Sequence, residues 1–235
     1  MNEVVELRQY ALKPGRRDEL IELFEREFVE TQEAVGIDVI GTFHDIDDPD
    51  RFVWLRGYAD MESRGRALTA FYSGPVWKAH RDAAVATMED TDNVLLLRPA
   101  WRGSSFPGGV ARASRGARDP SPEIVIAAIC YFDPDVPDGF AESFRAVMPP
   151  QCEAAGATLM AALVSEPSAN NFPQHAIREG ERVFVWLLHF PNAASAHSIP
   201  LSSELGRRLC KPMEILRLRP TARSRRMAPW HKRAD

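Results

Sequence analysis

Polar and apolar residues alternate from Val4 to Tyr10, which predicts a strand. Lys13-Pro14-Gly15 reads as a turn. From Arg16 to Val35 the apolar residues Leu20, Leu23, Phe24, Phe28 and Val35 follow helical spacing, with Gly36 where a C-cap belongs. Ile37 to His44 and Phe52 to Tyr58 read as strands around the polar loop Asp45 to Asp50. Met61 to Phe71 and Pro75 to Met88 read as helices, the second with proline at its first turn, and Val94 to Leu97 closes the unit. The order is β-α-β-β-α-β with the second α split in two, a ferredoxin-like unit.

The pattern then repeats. Phe52-Val53-Trp54-Leu55 recurs as Phe184-Val185-Trp186-Leu187 at an offset of 132. Leu97-Arg98-Pro99 recurs as Leu218-Arg219-Pro220 at 121, and Ala34-Val35-Gly36 matches Ala154-Ala155-Gly156 at 120. The offset grows by 12 between Gly156 and Trp186, which places an insertion in Ser165 to Arg182, a loop rich in Pro, Asn and Gly. The expected organisation is therefore a first module over residues 1–101, a turn-rich linker over 102–121, a second module over 122–220 and a basic tail over 221–235. Two such α+β modules can pair their antiparallel sheets into one barrel, an intramolecular pseudo-dimer that removes the edges of both sheets.

Composition narrows the function classes. With 45% hydrophobic and 26% charged residues, the 235-residue chain is that of an ordinary globular protein. The longest uncharged apolar run, Ile124 to Phe132, is too short to cross a bilayer, and the N-terminus has no secretory pattern. Three cysteines, Cys130, Cys152 and Cys210, make no close pair, which favours a reducing, cytoplasmic setting over disulfides or thiolate metal sites. The linker and tail together carry +7 of a net charge of −4, which leaves −11 on the other 200 residues. So acidic a body argues against nucleic acid as a partner. The tail is expected to be a solvated basic end, the alternative being a contact with an anionic surface. No phosphate-binding glycine loop or Gly-x-Ser-x-Gly elbow occurs, and His44-Asp45-Ile46-Asp47-Asp48-Pro49-Asp50 lacks the glycine and distal glutamate of a calcium loop. No metal site is expected.

Val5-Glu6-Leu7-Arg8-Gln9-Tyr10-Ala11-Leu12-Lys13-Pro14-Gly15 and Phe71-Tyr72-Ser73-Gly74-Pro75-Val76-Trp77-Lys78-Ala79-His80-Arg81 resemble segments of the NIPSNAP family, part of the dimeric α/β-barrel superfamily. The resemblance covers residues 3 to 100 and extends more weakly over Glu123 to Pro220. It implies the barrel fold and leaves the reaction open, since related barrels include cofactor-free monooxygenases and haem-degrading enzymes. The second module replaces the positions of Glu6 and Arg8 with apolar residues, so the first is expected to hold most of the site and the second to serve as its pseudo-symmetric partner and wall.

Alternation sets Glu6, Arg8 and Tyr10 on one face of the first strand and Phe52, Trp54, Arg56 and Tyr58 on one face of the third. The polar face is expected to point into the barrel. Together with Tyr72 and Trp77 these residues would suit an aromatic or amphipathic organic ligand carrying an anionic group. The alternative is that they serve only to dock the two modules, in a non-enzymatic binding or scaffold protein. Trp77 and Arg81 share a helix face with His80 beside it. That suggests His80 as a base and Arg81 or Arg8 as anion holder, in cofactor-independent proton transfer or oxygenation. No cofactor is required. Haem, needing one axial histidine, could use His44, His80, His189 or His197. A homodimer built through the helix faces is compatible with all of this.

Overall fold

The computed structural model describes residues 2–106, 111–118, 121–133, 139–196 and 201–225. Its N-terminal half runs β1 (Val4–Leu12), α1 (Arg17–Leu23), a π-helical turn (Phe24–Phe28), α2 (Val29–Ala34), β2 (Asp38–Asp45), β3 (Arg51–Tyr58), α3 (Met61–Ser73), α4 (Pro75–Thr87), β4 (Met88–Asp90) and β5 (Val94–Pro99). The C-terminal half runs β6 (Ile124–Phe132), α5 (Phe140–Ala154), β7 (Thr158–Ser165), β8 (Arg182–Phe190), α6 (Ser203–Gly206) and β9 (Glu214–Pro220).

The strands are ordered β3-β2-β9-β6-β8-β7-β5-β1, and β3 pairs with β1 to close the ring, leaving β4 as a short addition on β1. Every pairing is antiparallel. The halves join at two seams. Phe43 opposes Pro220 where β2 meets β9, and Leu163 opposes Pro99 where β7 meets β5. Both β2 and β7 carry a bulge at the same place, between Val39 and Gly41 and between Leu159 and Ala161. Gly36 (φ +93°) and Gly156 (φ +73°) end the preceding helices in the left-handed region, so the chain reverses into β2 and β7.

Three apolar layers result. The barrel interior is filled from all eight strands, by Val5 and Leu7, Phe43, Val53 and Leu55, Leu95 and Leu97, Val125 and Ile129, Leu163, Val185 and Leu187, and Leu216 and Leu218. Outside it, Phe24, Phe28, Leu68 and Phe71 from the N-terminal helices pack on Phe52 and Trp54. Phe144 and Met148 of α5 pack on Phe184 and Trp186 in the C-terminal half.

This arrangement corrects the expected orientation of β1 and β3. Val5 and Leu7 point into the barrel, while Glu6, Arg8, Tyr10, Trp54, Arg56 and Tyr58 point outward beneath the helices. The interior of this eight-stranded barrel is filled mainly by apolar side chains, so a charge among them would be costly to bury.

The chain beyond each closing strand also departs from expectation. Ala100 N–H bonds Ala162 O at 3.0 Å and Thr221 N–H bonds Thr42 O at 2.9 Å, so pairing continues across both seams. That draws Phe106 of the linker into the barrel core and buries Thr221, Arg223 and Ser224 of the tail. Arg223 pairs with Glu30, and Arg225 with Glu33 and Asp38, so the start of the tail is docked rather than solvated. The remainder, residues 226–235, lies outside the described residues. β4 and the π-helical turn were not anticipated: the one is three mostly polar residues, and the other keeps the apolar spacing of its helix.

Candidate functional site: a buried arginine cluster

Alternation on β1 puts Glu6, Arg8 and Tyr10 on the helix side, and the β1–β3 register sets Arg56 opposite Glu6 and Trp54 opposite Arg8. Arg64 joins from α3, where it holds the first place of the inward stripe Arg64, Ala67, Leu68, Phe71. Glu6, Arg8, Arg56 and Arg64 are each 0% exposed. Glu6 Oε2 accepts from Arg8 Nη1 at 2.6 Å and Arg56 Nε at 2.7 Å, while Oε1 accepts from Arg64 Nε at 2.7 Å. Three guanidiniums thus share one carboxylate, leaving two positive charges in excess in a fully buried layer.

Aromatic rings frame them. The Arg8 guanidinium carbon lies 5.2 Å from the centre of the Tyr10 ring and 5.4 Å from that of Trp54, and that of Arg56 lies 5.0 Å from Trp54. Arg8 Nε also donates to Tyr10 Oη at 3.0 Å. Arg56 Nη2 and Arg64 Nη2 are buried and meet no acceptor among the described residues; the Tyr58 hydroxyl is likewise unpaired.

The electrostatics follow from burial and charge. Burial alone would raise the Glu6 carboxyl, but Arg56, Arg8 and Arg64 outweigh it and hold the group far below the usual carboxylate range. Burial pushes the Tyr58 phenol well above its ordinary value and raises Tyr10 as well, so both stay neutral.

The insertion between β7 and β8 forms a strap over this cluster. Asn170 Oδ1 and Asn171 Oδ1 accept from Arg64 Nη1 at 3.1 and 2.6 Å. Phe172 enters the aromatic layer, and the His175 ring stacks on Tyr72 with centroids 4.1 Å apart. Burial, then the charges of Arg8 and Arg56, push the His175 imidazole down to about 4, so it is neutral at neutral pH.

Of the residues singled out by sequence, Glu6, Arg8, Tyr10, Trp54, Arg56 and Tyr58 are gathered here. Tyr72 reaches the cluster through His175, and Trp77 packs on Phe28, Phe71 and Tyr72 at its edge. His80 and Arg81 are not gathered. The His80 side chain is 34% exposed, 3.7 Å from Glu27, and Arg81 is exposed beside Asp82. Arg64, Asn170, Asn171 and His175 were missed. The signal for Arg64 was a cation in an apolar helical stripe; for the others it was the insertion itself, whose docking no local pattern reveals.

Among the described residues no group of three His, Cys, Asp or Glu side chains could hold a metal. Nor do the described histidines fit a haem. His44, His80 and His189 face Asp18, Glu27 and Glu123 at 3.5 to 3.7 Å, and His175 lies against Tyr72. No histidine lines the groove of about 1000 Å³ at the β5–β7 seam. His197 lies outside the described residues.

The family model for NIPSNAP matches residues 5–101, the half that carries the cluster. That half is similar to NIPSNAP domains. An uncharacterized NIPSNAP-like domain protein from Burkholderia xenovorans is 29% identical over 44% of this chain and 90% of its own, with a TM-score of 0.40. A putative monooxygenase from Lactobacillus acidophilus NCFM is similar over 95% of this chain and 98% of its own, at 12% identity and a TM-score of 0.56. An anthrone oxidase-like protein is similar over 95% and 94%, at 12% identity and 0.58. These last two share the barrel fold with the N-terminal half and its C-terminal companion together. No curated protein matches the chain. No described helix is long and apolar enough to cross a membrane.

Proposed function

We propose that the N-terminal half binds a small organic anion with an aromatic or amphipathic body, its charged group held by Arg8, Arg56 and Arg64. The observation that carries this reading is the pair of buried, unpartnered Nη2 groups on Arg56 and Arg64 in a cluster with two excess positive charges. Unpaired buried donors are costly, and a carboxylate or phenolate would satisfy both. Residues 1–101 and 122–220 are on this reading two copies of one module, joined by 102–121. The second copy supplies the strap.

The chemistry that suits such a site is proton transfer. Once the ligand's negative charge offsets the Arg8 and Arg56 cations that suppress the basicity of His175, a weakly acidic O–H or C–H of the bound molecule loses its proton to that imidazole, and the anion so formed stays with the guanidiniums. Where the anion is a carbanion, dioxygen as co-reactant would add to that carbon and take two electrons from it, and the resulting hydroperoxide would lose water to leave a carbonyl, with no resident cofactor. His175 takes the role of base in preference to His80 because it stands beside the arginines. Binding without catalysis is the second reading, and the grip of Asn170 and Asn171 on Arg64 favours it, since that contact also ties the two halves together. Its free cysteines suit a cytoplasmic protein, and its exposed helix faces permit a homodimer.

Calorimetric titration with benzoate and with neutral benzamide tests the reading. Benzoate is expected to bind and benzamide not. Arg56→Met should weaken benzoate about tenfold or more, the worth of a hydrogen bond to a charged group. Equal affinity for benzoate in the wild type and Arg56→Met, or none in either, would overturn it.

A further inference from the structure

The groove at the β5–β7 seam lies on the outside of the barrel, between α5 and the two arms of the strap. Glu166 N–H and Arg178 N–H bond Leu96 O and Val94 O at 2.9 and 2.8 Å, so both arms run along β5. The groove is lined by Leu96, Val164, Phe140 and Phe184 together with charged side chains such as Arg98, Glu142, Glu166 and Arg182, and at about 1000 Å³ it stands at the upper end of the range for small-molecule sites. Two of its lining residues also belong to the arginine layer. Leu96 is the direct cross-strand partner of Glu6, so their side chains are neighbours on one face, and Ile177 packs against the same aromatic cluster. The groove and the buried cations are therefore back to back, with Leu96 and Ile177 between them.

We infer that the groove and the cluster are two ends of one site for an elongated amphipathic carboxylate. Its apolar body lies along Leu96, Val164, Phe140 and Phe184, and its head passes between Leu96 and Ile177 to the arginines. This rests on the anion-binding reading and adds the shape of the ligand. The head ends at the unpartnered Nη2 groups of Arg56 and Arg64, while Asn170 and Asn171 keep the strap on Arg64 Nη1. A compact anion such as benzoate would fill the head position and leave the groove empty.

The test is a series of calorimetric titrations with butyrate, octanoate and dodecanoate below their micellar concentrations, and with 1-dodecanol. A methylene is worth about fourfold in affinity at full burial. Dodecanoate should therefore bind at least about tenfold more tightly than octanoate, even if its added methylenes are only partly covered. Val164→Glu in the groove should flatten this series and leave butyrate unchanged. Ala169→Trp, at an exposed strap position, should do the same by filling the groove, and it covers the case in which the first variant fails to fold. Arg64→Met should weaken every carboxylate. A Kd for carboxylates independent of chain length overturns the two-ended site while the anion reading stands. Equal binding of dodecanol and dodecanoate, unaffected by Arg64→Met, overturns the anion reading and leaves a groove that takes alkyl chains alone. Binding of none of the four overturns both.

Discussion

Arg8 lies opposite Trp54 on the outer face of the N-terminal half, and Ala128 lies opposite Trp186 on the outer face of the C-terminal half. The two tryptophans meet a helix phenylalanine in nearly the same way, Phe24 at 4.8 Å and 67° and Phe144 at 5.1 Å and 69°. Around these matched pairs the chemistry diverges. Glu6 faces Arg56 where Ile126 faces Leu188, Tyr10 faces Phe52 where Cys130 faces Phe184, and Val4 faces Tyr58 where Ile124 faces Phe190. One frame is thus built twice, once on charge and once on hydrocarbon. The C-terminal version shows that the frame needs no ionic group to pack. Replacing buried ion pairs with hydrophobic residues is often neutral or stabilising, so the charged version carries a cost that packing alone does not require. This contrast is the strongest argument that the cluster is there for a ligand.

Breaking the charged face at its centre should have the largest effect. Glu6→Gln leaves three guanidiniums buried without their anion and should destabilise the protein by about 3–5 kcal/mol, read by chemical denaturation. The pH dependence has the same origin. Glu6 has a depressed folded pKa, so its stabilisation is complete above the ordinary glutamate value and declines as pH falls below it toward the folded value. A variant as stable as the wild type would mean that the arginines are not held by Glu6.

Converting one face into the other sharpens the comparison. Glu6→Ile, Arg8→Ala and Arg56→Leu import the C-terminal residues at matched positions, and Arg64→Leu removes the remaining cation. The combined variant should fold with unchanged stability or a gain of about 1–4 kcal/mol, and should lose benzoate binding. Marked destabilisation would show that the charges serve packing after all, contrary to the comparison.

The smallest effect concerns His175. Its imidazole should titrate near 4 by NMR, and should move up toward the ordinary value in Arg56→Met, since one of the cations opposing its protonation is gone. Because the folded value is depressed, the unfolded chain takes up a proton first, so His175 costs stability as pH falls from about 6.5 to about 4. An unmoved midpoint in the variant would place His175 outside the field of the cluster.

The residues of β1 and β3 that form the cluster were legible because period-two alternation sorts a strand into faces whatever surrounds it. The insertion at Ser165 to Arg182 was legible too, because a repeat interrupted by 12 residues marks its own gap. Which face turns inward was not legible. Alternation gives two faces and no label, and the label came from the other strands: their apolar faces fill the interior and leave the charged one outside. His80 beside Trp77 was a sound local pattern, but the helix places it half exposed against Glu27, away from the arginines.

Sequence by itself therefore determined the β-α-β-β-α-β order of the first half, the barrel and the half that carries the charges, properties set by local periodicity. Tertiary structure alone decided that Arg64 completes the cluster, that the strap from the C-terminal half covers it, and that His175 is the histidine beside it. Each of these is a contact between residues 58 to more than 100 positions apart. No periodicity encodes such a contact, because it forms only when the ring of strands has closed.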